Sequence, residues 1–279
     1  IAVTSEPIAS GPIRRRLTRI PMLRGAVVLW ETLALGSRWL MRSADVATGD
    51  EERSTGGSGS TIATLGITLL IAIAVFNVLP AIAAGAIVRA LGITALLAER
   101  AVDGVLQVAI LLGYLAAVGR SSDVDRTYRY HGAEHRAIHA LENGDPLSRS
   151  ALGRWPTAHP RCGTEFLVVV ILVSIVTFSL VGRLEPVPTV VSRIVGIPLV
   201  AGLAYEVLRL LGRFRNNIAA RLLAAPGIAV QRITTRRPDD GMHDVAIAAL
   251  TATIEAEGGV PPRGSERPVT RALQPLRAA

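Results

Sequence analysis

The sequence predicts an all-α fold: a polytopic helical membrane protein with about four transmembrane helices plus interfacial and cytoplasmic helices. Three observations carry that expectation. Half of the 279 residues are hydrophobic and the mean hydropathy is +0.41, a balance that fits membrane spans accompanied by polar lobes. Several apolar runs approach the roughly 20 residues that a helix needs to cross a bilayer. The arginines gather between and beyond those runs.

Residues 1–61 read as a cytoplasmic N-terminal segment. Within it Leu23, Val27, Trp30, Leu33 and Leu40 recur at helical spacing, with Arg24, Glu31, Arg38 and Arg42 at polar positions. The pattern fits a helix lying in the inner membrane interface with Trp30 and Trp39 near the headgroups, and fits equally a soluble helix packed on a cytoplasmic lobe. Residues 47–61 (ATGDEERSTGGSGST) have the composition of a flexible linker.

Residues 62–119 hold a first transmembrane pair. Asn77 is the strongly polar side chain of the run Ile62–Leu79, and Pro80 kinks or ends that run. Residues 81–99, mostly apolar apart from Arg89, form a short return helix at the outer surface or extend a broken span; a second span follows at roughly 103–119. Residues 120–165 form a cytoplasmic, histidine-rich segment.

Residues 166–212 hold the second pair. Phe166–Val181 is uninterrupted and too long for a strand, and a fourth span at roughly 192–212 carries Glu206 and Arg209, which lipid disfavours and which therefore face protein or water. Residues 213–256 form a cytoplasmic helical segment in which Pro238 and the Asp239-Asp240 pair mark a helix start. Val245, Ala248, Ala249 and Ala252 give that helix a small-residue packing face. Residues 257–279 read as a disordered tail.

All 30 basic residues are arginine, which excludes Schiff-base and Walker-lysine chemistry. Eight lie in residues 1–61, seven in 120–163 and ten in 213–279. Because cytoplasmic loops carry the excess of positive charge, those segments are expected inside a multi-pass cell-membrane protein with both termini cytoplasmic. The net charge of +8 points to a lipid bilayer with anionic headgroups as partner, and not to nucleic acid, because the arginines flank apolar spans and no nucleic-acid module is present. Protein partners are not specified, and a homo-oligomer is allowed. Cys162 is the single cysteine, so an intrachain disulfide is excluded.

Four of the five histidines fall between 131 and 159. In a helix, His131, His135 and His139 drift only about 40° per step and form one stripe, which Asn143-Gly144 and Pro146 then terminate. His131-Gly-Ala-Glu134-His135 matches H-x-x-E-H, the inverted zinc-protease helix motif: two imidazoles one turn apart hold the metal and Glu134 serves as general base. On that reading a zinc-bound water loses its proton to Glu134 as it attacks a carbonyl or phosphoryl centre.

A second group, His159-Pro160-Arg161-Cys162-Gly163-Thr164-Glu165, precedes the third span. His159 and Cys162 have ligand chemistry and spacing; the plainer reading is a helix entrance capped by Thr164 and Glu165 with Cys162 packed. Glu206, roughly 9 Å from the inner end of its span, is a further ligand, an orienting carboxylate, or half of a Glu206–Arg209 pair. The expected metal set is therefore His131, His135, His139, His159, Cys162 and Glu206, with zinc as cofactor and iron, manganese or nickel as alternatives. His243 reads as a surface residue.

The strings PMLRG, YRYHGAEHRAIHALENG, HPRCGTEF, AGLAYEVLRL and PGIAVQRITTRRPDD, spread over positions 21–240, resemble the YqhQ-like family of bacterial integral membrane proteins, a domain of unknown function described as predicted metal-dependent enzymes. The resemblance implies a membrane location and the histidine–glutamate cluster as metal site, with no substrate attached. It also implies a Gly- and Met-rich stretch resembling GGQAV and GVMMR ahead of Ile1. Three functions follow: a membrane-embedded, zinc-dependent hydrolase of unspecified substrate; a non-enzymatic, metal-stabilised scaffold or assembly factor; and, third, a transporter using Asn77, Glu206 and Arg209.

Overall fold

A bilayer gives backbone N–H and C=O groups no water to bond, so apolar runs of this length satisfy themselves as helices. The structure, a computed structural model, describes residues 1–3, 12–48, 59–160, 162–182, 184–214 and 217–272; most of the expected linker, and the tail beyond 272, lie outside them. In chain order the elements are β1 (Ala2–Val3), α1 (Pro12–Leu17), α2 (Leu23–Thr48), α3 (Gly59–Ile73), a π-helical turn (Ala74–Val78), α4 (Leu79–Ala90) and α5 (Leu96–Val118). There follow α6 (Ser122–Glu142), α7 (Arg149–Leu152), α8 (Thr164–Val181), α9 (Pro186–Arg213), α10 (Ile218–Thr234), α11 (Asp240–Ala256) and β2 (Arg271–Ala272). Among the described residues everything regular is helical except the two-residue parallel pair of β1 and β2.

Among the described residues, three helical stretches are long and apolar enough to cross a membrane: Gly66–Ala90, Leu96–Val118 and Val187–Arg213. The fourth, Phe166–Val181 within α8, is apolar but shorter; the 18 residues of α8 rise about 27 Å, the thin end of a hydrocarbon core. The protein is thus a polytopic helical membrane protein. Pro80 does not end the first span. Its ring removes a donor and crowds the carbonyl four residues back, and the wide π turn placed just before it takes up the misfit, so α3 continues into α4. Residues 81–90 therefore extend the span, the second of the two readings the sequence allows, and form no return helix.

The chain divides into two compact units, one of residues 10–111 and 168–214, the other of 1–9, 112–167 and 215–278. In the first, α2 packs along α9. Glycine permits the approach: a Cβ on Gly25 would stand 2.7 Å from Tyr205 Cβ, and one on Gly202 2.7 Å from the Met22 carbonyl oxygen. The apolar stripe of α2 faces away from that contact, with Trp30 and Leu40 each 74% exposed. Arg193 lies inside α9 and is 2% exposed.

The second unit is built on α6 and α11. Ala137, Ala140, Leu147, Leu152 and Ile247 form its core, with Trp155, Leu250 and Ile254 packed against them. Asp239 begins α11 by accepting a hydrogen bond from the Met242 amide (2.9 Å). Residues 257–270 carry turns at 257–258 and 263–264 and no regular element. There Glu266 N–H donates to Leu147 O (2.8 Å), and Ser265 Oγ accepts from Leu147 N–H (2.9 Å).

Candidate metal centre

α6 presents His131, His135 and His139 on one face because they are spaced one turn apart. The helix stops at Asn143, and Gly144 takes the left-handed φ of +73° that closes the turn. Gly132, inside the histidine motif, has a packing reason. A Cβ there would collide with the Arg236 carbonyl oxygen, so only glycine lets residues 234–236 run against α6. Arg236 N–H donates to Tyr128 O (2.9 Å) along the same contact.

Against this helix lies the loop of residues 157–162. His131 Nδ1–H donates to Thr234 O (2.9 Å) and His135 Nδ1–H donates to Thr157 O (2.5 Å). Each ring is thereby fixed in the tautomer that leaves Nε2 as its donor atom. His131 Nε2 lies 3.1 Å from Cys162 Sγ, and the donor atoms of His131, His135 and Cys162 all fall within 4.8 Å of one another. Zinc–donor lengths of about 2.0–2.3 Å place tetrahedral donors about 3.5 Å apart, so a small side-chain closure brings this N,N,S set to metal-binding geometry. Backbone carbonyls that hold the far ring nitrogens are the usual outer shell of metal-ligating histidines. The residues present fit a zinc-type ion.

Electrostatics agree with the geometry. Burial alone would push the Cys162 thiol up, but hydrogen bonds from His131, His135 and Thr164 outweigh it and pull the pKa down to about 5. Burial opposes a charge on His131 too, yet contact with Cys162 and the Thr234 carbonyl raises its pKa. Without a metal, each of the two favours the charged form of the other. Thr164, expected only to cap α8, donates its hydroxyl to Cys162 Sγ (3.3 Å).

The remaining expected ligands are placed differently. His139 Nε2–H donates to Ala158 O (2.9 Å), and its ring stacks on Trp155. His159 is buried, with Nε2 3.5 Å from Glu142 Oε2; burial, then His139, lowers its pKa. The histidines thus form a row, in which ring centroids of His135 and His159 are 5.8 Å apart and those of His139 and His159 4.4 Å. Among the described residues, the group whose donor atoms converge is His131, His135 and Cys162 alone. Glu134 is exposed on α6 and reaches the cluster through its charge, which helps raise His131. Glu206 belongs to the other unit. Arg24 holds both of its oxygens and Met22 N–H donates to Oε1 (3.1 Å), so Arg24 takes the place expected for Arg209.

The comparisons with known proteins agree with this layout in extent and are silent on activity. The profile of a protein family of unknown function, DUF1385, matches residues 20–256. The chain belongs to that family. It is similar to the uncharacterized protein YqhQ of Bacillus subtilis (strain 168), with 27% identity over 263 residues that cover 90% of this chain and 82% of that protein. No solved structure matches. The matched region contains α6, the 157–162 loop, α10 and α11, so every residue of the cluster and its clasp lies inside the family's shared segment.

Several site residues carry no sequence signal. Gln231, wholly buried, clasps the loop from α10: its Oε1 accepts from His159 N–H (2.8 Å) and its Nε2 donates to His159 O (2.9 Å). Thr157 and Thr234 contribute carbonyls, which any residue type could supply. His243, read as a surface residue, is 4% exposed. It accepts from Arg136 Nη1–H at Nε2 (3.4 Å), and burial together with that cation lowers its pKa. In the other unit Asp103, 1% exposed, pairs with Arg193 and accepts from Gln107 Nε2–H (2.8 Å), while the Arg193 guanidinium sits 4.2 Å over the Phe178 ring. The spacing of Asp103 and Gln107 along α5 is the one sign of this cluster in the sequence.

Proposed function

We propose that this protein is a membrane-embedded, zinc-dependent hydrolase whose centre faces the cytoplasmic interface of the cell membrane, with both termini inside. The observation that supports it is the preset tautomer of two histidines, whose free Nε2 atoms converge with a low-pKa thiol. Three protein donors are the number that catalytic zinc sites use, whereas structural zinc sites are closed by four. Zinc held by these residues would supply Lewis acidity that makes water nucleophilic near neutral pH. His131 and His135 bind through Nε2 while Thr234 and Thr157 orient them, and Cys162 binds as thiolate. Glu134, adjacent to His135 on α6, takes the proton of the attacking water and returns it to the leaving group.

The test is Glu134→Gln in zinc-loaded protein, assayed against carboxylic and phosphoric ester probes presented in bilayers. Zinc retained with turnover lost supports the assignment; undiminished turnover refutes Glu134 as base.

A second reading rests on the exposure of Glu134 and on the way the cluster ties α6, the 157–162 loop and α10 together. There the metal only stabilises a scaffold or assembly factor. Glu134→Gln is then silent, and loss of His131 and His135 lowers the unfolding temperature with no activity to lose.

A further inference from the structure

α10 has two unlike halves. From Ile218 to Pro226 only Ala220 is buried, and Ile218 and Leu222 are each 67% exposed with Leu223 at 52%. From Gly227 onward the helix turns inward: Gly227, Val230, Gln231 and Thr234 are buried, Gln231 clasps His159 and the Thr234 carbonyl holds His131. Pro226 removes one backbone hydrogen bond between the halves, yet α10 runs through it as one continuous helix, about 18 Å from Leu222 to Thr234, so the two halves stay mechanically joined.

An apolar half-helix left in water is unfavourable, and chain position and charge say what covers it. The span ending at Arg213 is followed by Ile218 after four intervening residues. Between Glu206 and Asp239 there is no acidic residue, while Arg209, Arg213, Arg215, Arg221, Arg232, Arg236 and Arg237 all fall there. Apolar side chains interleaved with arginine at the end of a span are the composition of a helix seated in an anionic headgroup layer.

We propose that the first half of α10 inserts into the anionic lipid surface, and that its second half transmits this anchoring to the cluster, holding His131 and the 157–162 loop in ligand geometry. Anionic phospholipid is then both partner and regulator. The anchoring stands on the exposed face and the charge; the transmission rests on the metal-centre reading.

The test places the full chain in nanodiscs of phosphatidylcholine, with or without phosphatidylglycerol, and reads two quantities: amide exchange of residues 218–226, and the rate at which a chelator strips zinc. Expected are slower exchange and slower zinc release with phosphatidylglycerol. Leu222→Gln with Leu223→Gln should abolish both effects while exchange of α6 and α11 is unchanged. The milder Arg221→Gln should weaken the preference for the anionic disc about fivefold. Equal exchange of 218–226 in the two discs overturns the lipid surface. Lipid-dependent exchange with unchanged zinc release overturns the transmission. Zinc absent from every disc removes the transmission together with the proposed function, and the exchange comparison still decides the surface.

Discussion

Replacing Gln231 with leucine isolates the contribution of the α10 clasp. The side chain is wholly buried and bonds both backbone polar groups of His159, at 2.8 and 2.9 Å. Leucine keeps nearly the same volume, so packing is retained while the His159 N–H and C=O lose this partner away from water. The stranded N–H costs about 1–3 kcal/mol and the carbonyl, which keeps the Cys162 N–H (3.3 Å), costs less, with a partial offset because the glutamine amide no longer has to be desolvated. The local stability of the 157–164 loop should therefore fall by about 2–4 kcal/mol, which accelerates its amide exchange roughly 30- to 1000-fold. Hydrogen exchange in detergent, read by mass spectrometry on peptides spanning 157–164, measures this directly. Acceleration confined to that loop, with α11 unchanged, is the expected result. Exchange within about threefold of wild type would show that the clasp does not hold the loop.

Other perturbations probe the remaining parts. Asp103→Asn strands the buried Arg193 cation and should cost about 3–5 kcal/mol, seen as a lower thermal midpoint in detergent; an unchanged midpoint would mean that the pair is not buried in the folded protein. Gly132→Ala forces residues 234–236 away from α6, so zinc affinity should drop by at least about tenfold, equivalent to losing one oriented ligand; wild-type affinity contradicts the close packing. In metal-free protein the Cys162 thiolate, followed by its ultraviolet absorbance, should persist down to about pH 5 and vanish below it. Its depressed pKa means that its share of stability is complete above the unfolded value of about 9 and is lost as pH falls through about 5. His131, raised above 6.5, gives stability at low pH that is lost as pH climbs past its folded value. The metal-free protein should thus gain stability as pH rises from about 5 toward about 9, with the rise interrupted where folded His131 gives up its proton; a thermal midpoint that does not change over that range would contradict the pair.

Much of the architecture is legible in the sequence because it rests on local rules. Apolar runs of span length become helices whatever surrounds them, and the four-residue spacing of His131 and His135 puts them on one face of α6 without any tertiary information. The H-P-R-C string gives away Cys162, since a ligand-type side chain beside a second histidine cluster is chemically conspicuous. What stays hidden depends on contacts between distant segments. Pro80 reads as either a kink or a stop, and the π turn that settles the choice leaves no pattern in the sequence. Glu206 is taken by Arg24, 182 residues away, where sequence proximity favours Arg209. His243 stands alone in the sequence and is buried only because α11 docks on α6. The outer supports of the cluster are mostly carbonyls and one glutamine, groups whose identity carries no pattern.

The central claim is that His131, His135 and Cys162 hold a metal ion, and metal content decides it most directly. Protein purified in detergent without chelators should carry about one zinc or similar divalent ion per chain by elemental mass spectrometry. The His131→Ala/His135→Ala variant and Cys162→Ser should lose it while remaining helical. Well-folded wild-type protein that binds no divalent metal, even after reconstitution with zinc above pH 7, would contradict the account and leave the histidine row as polar packing.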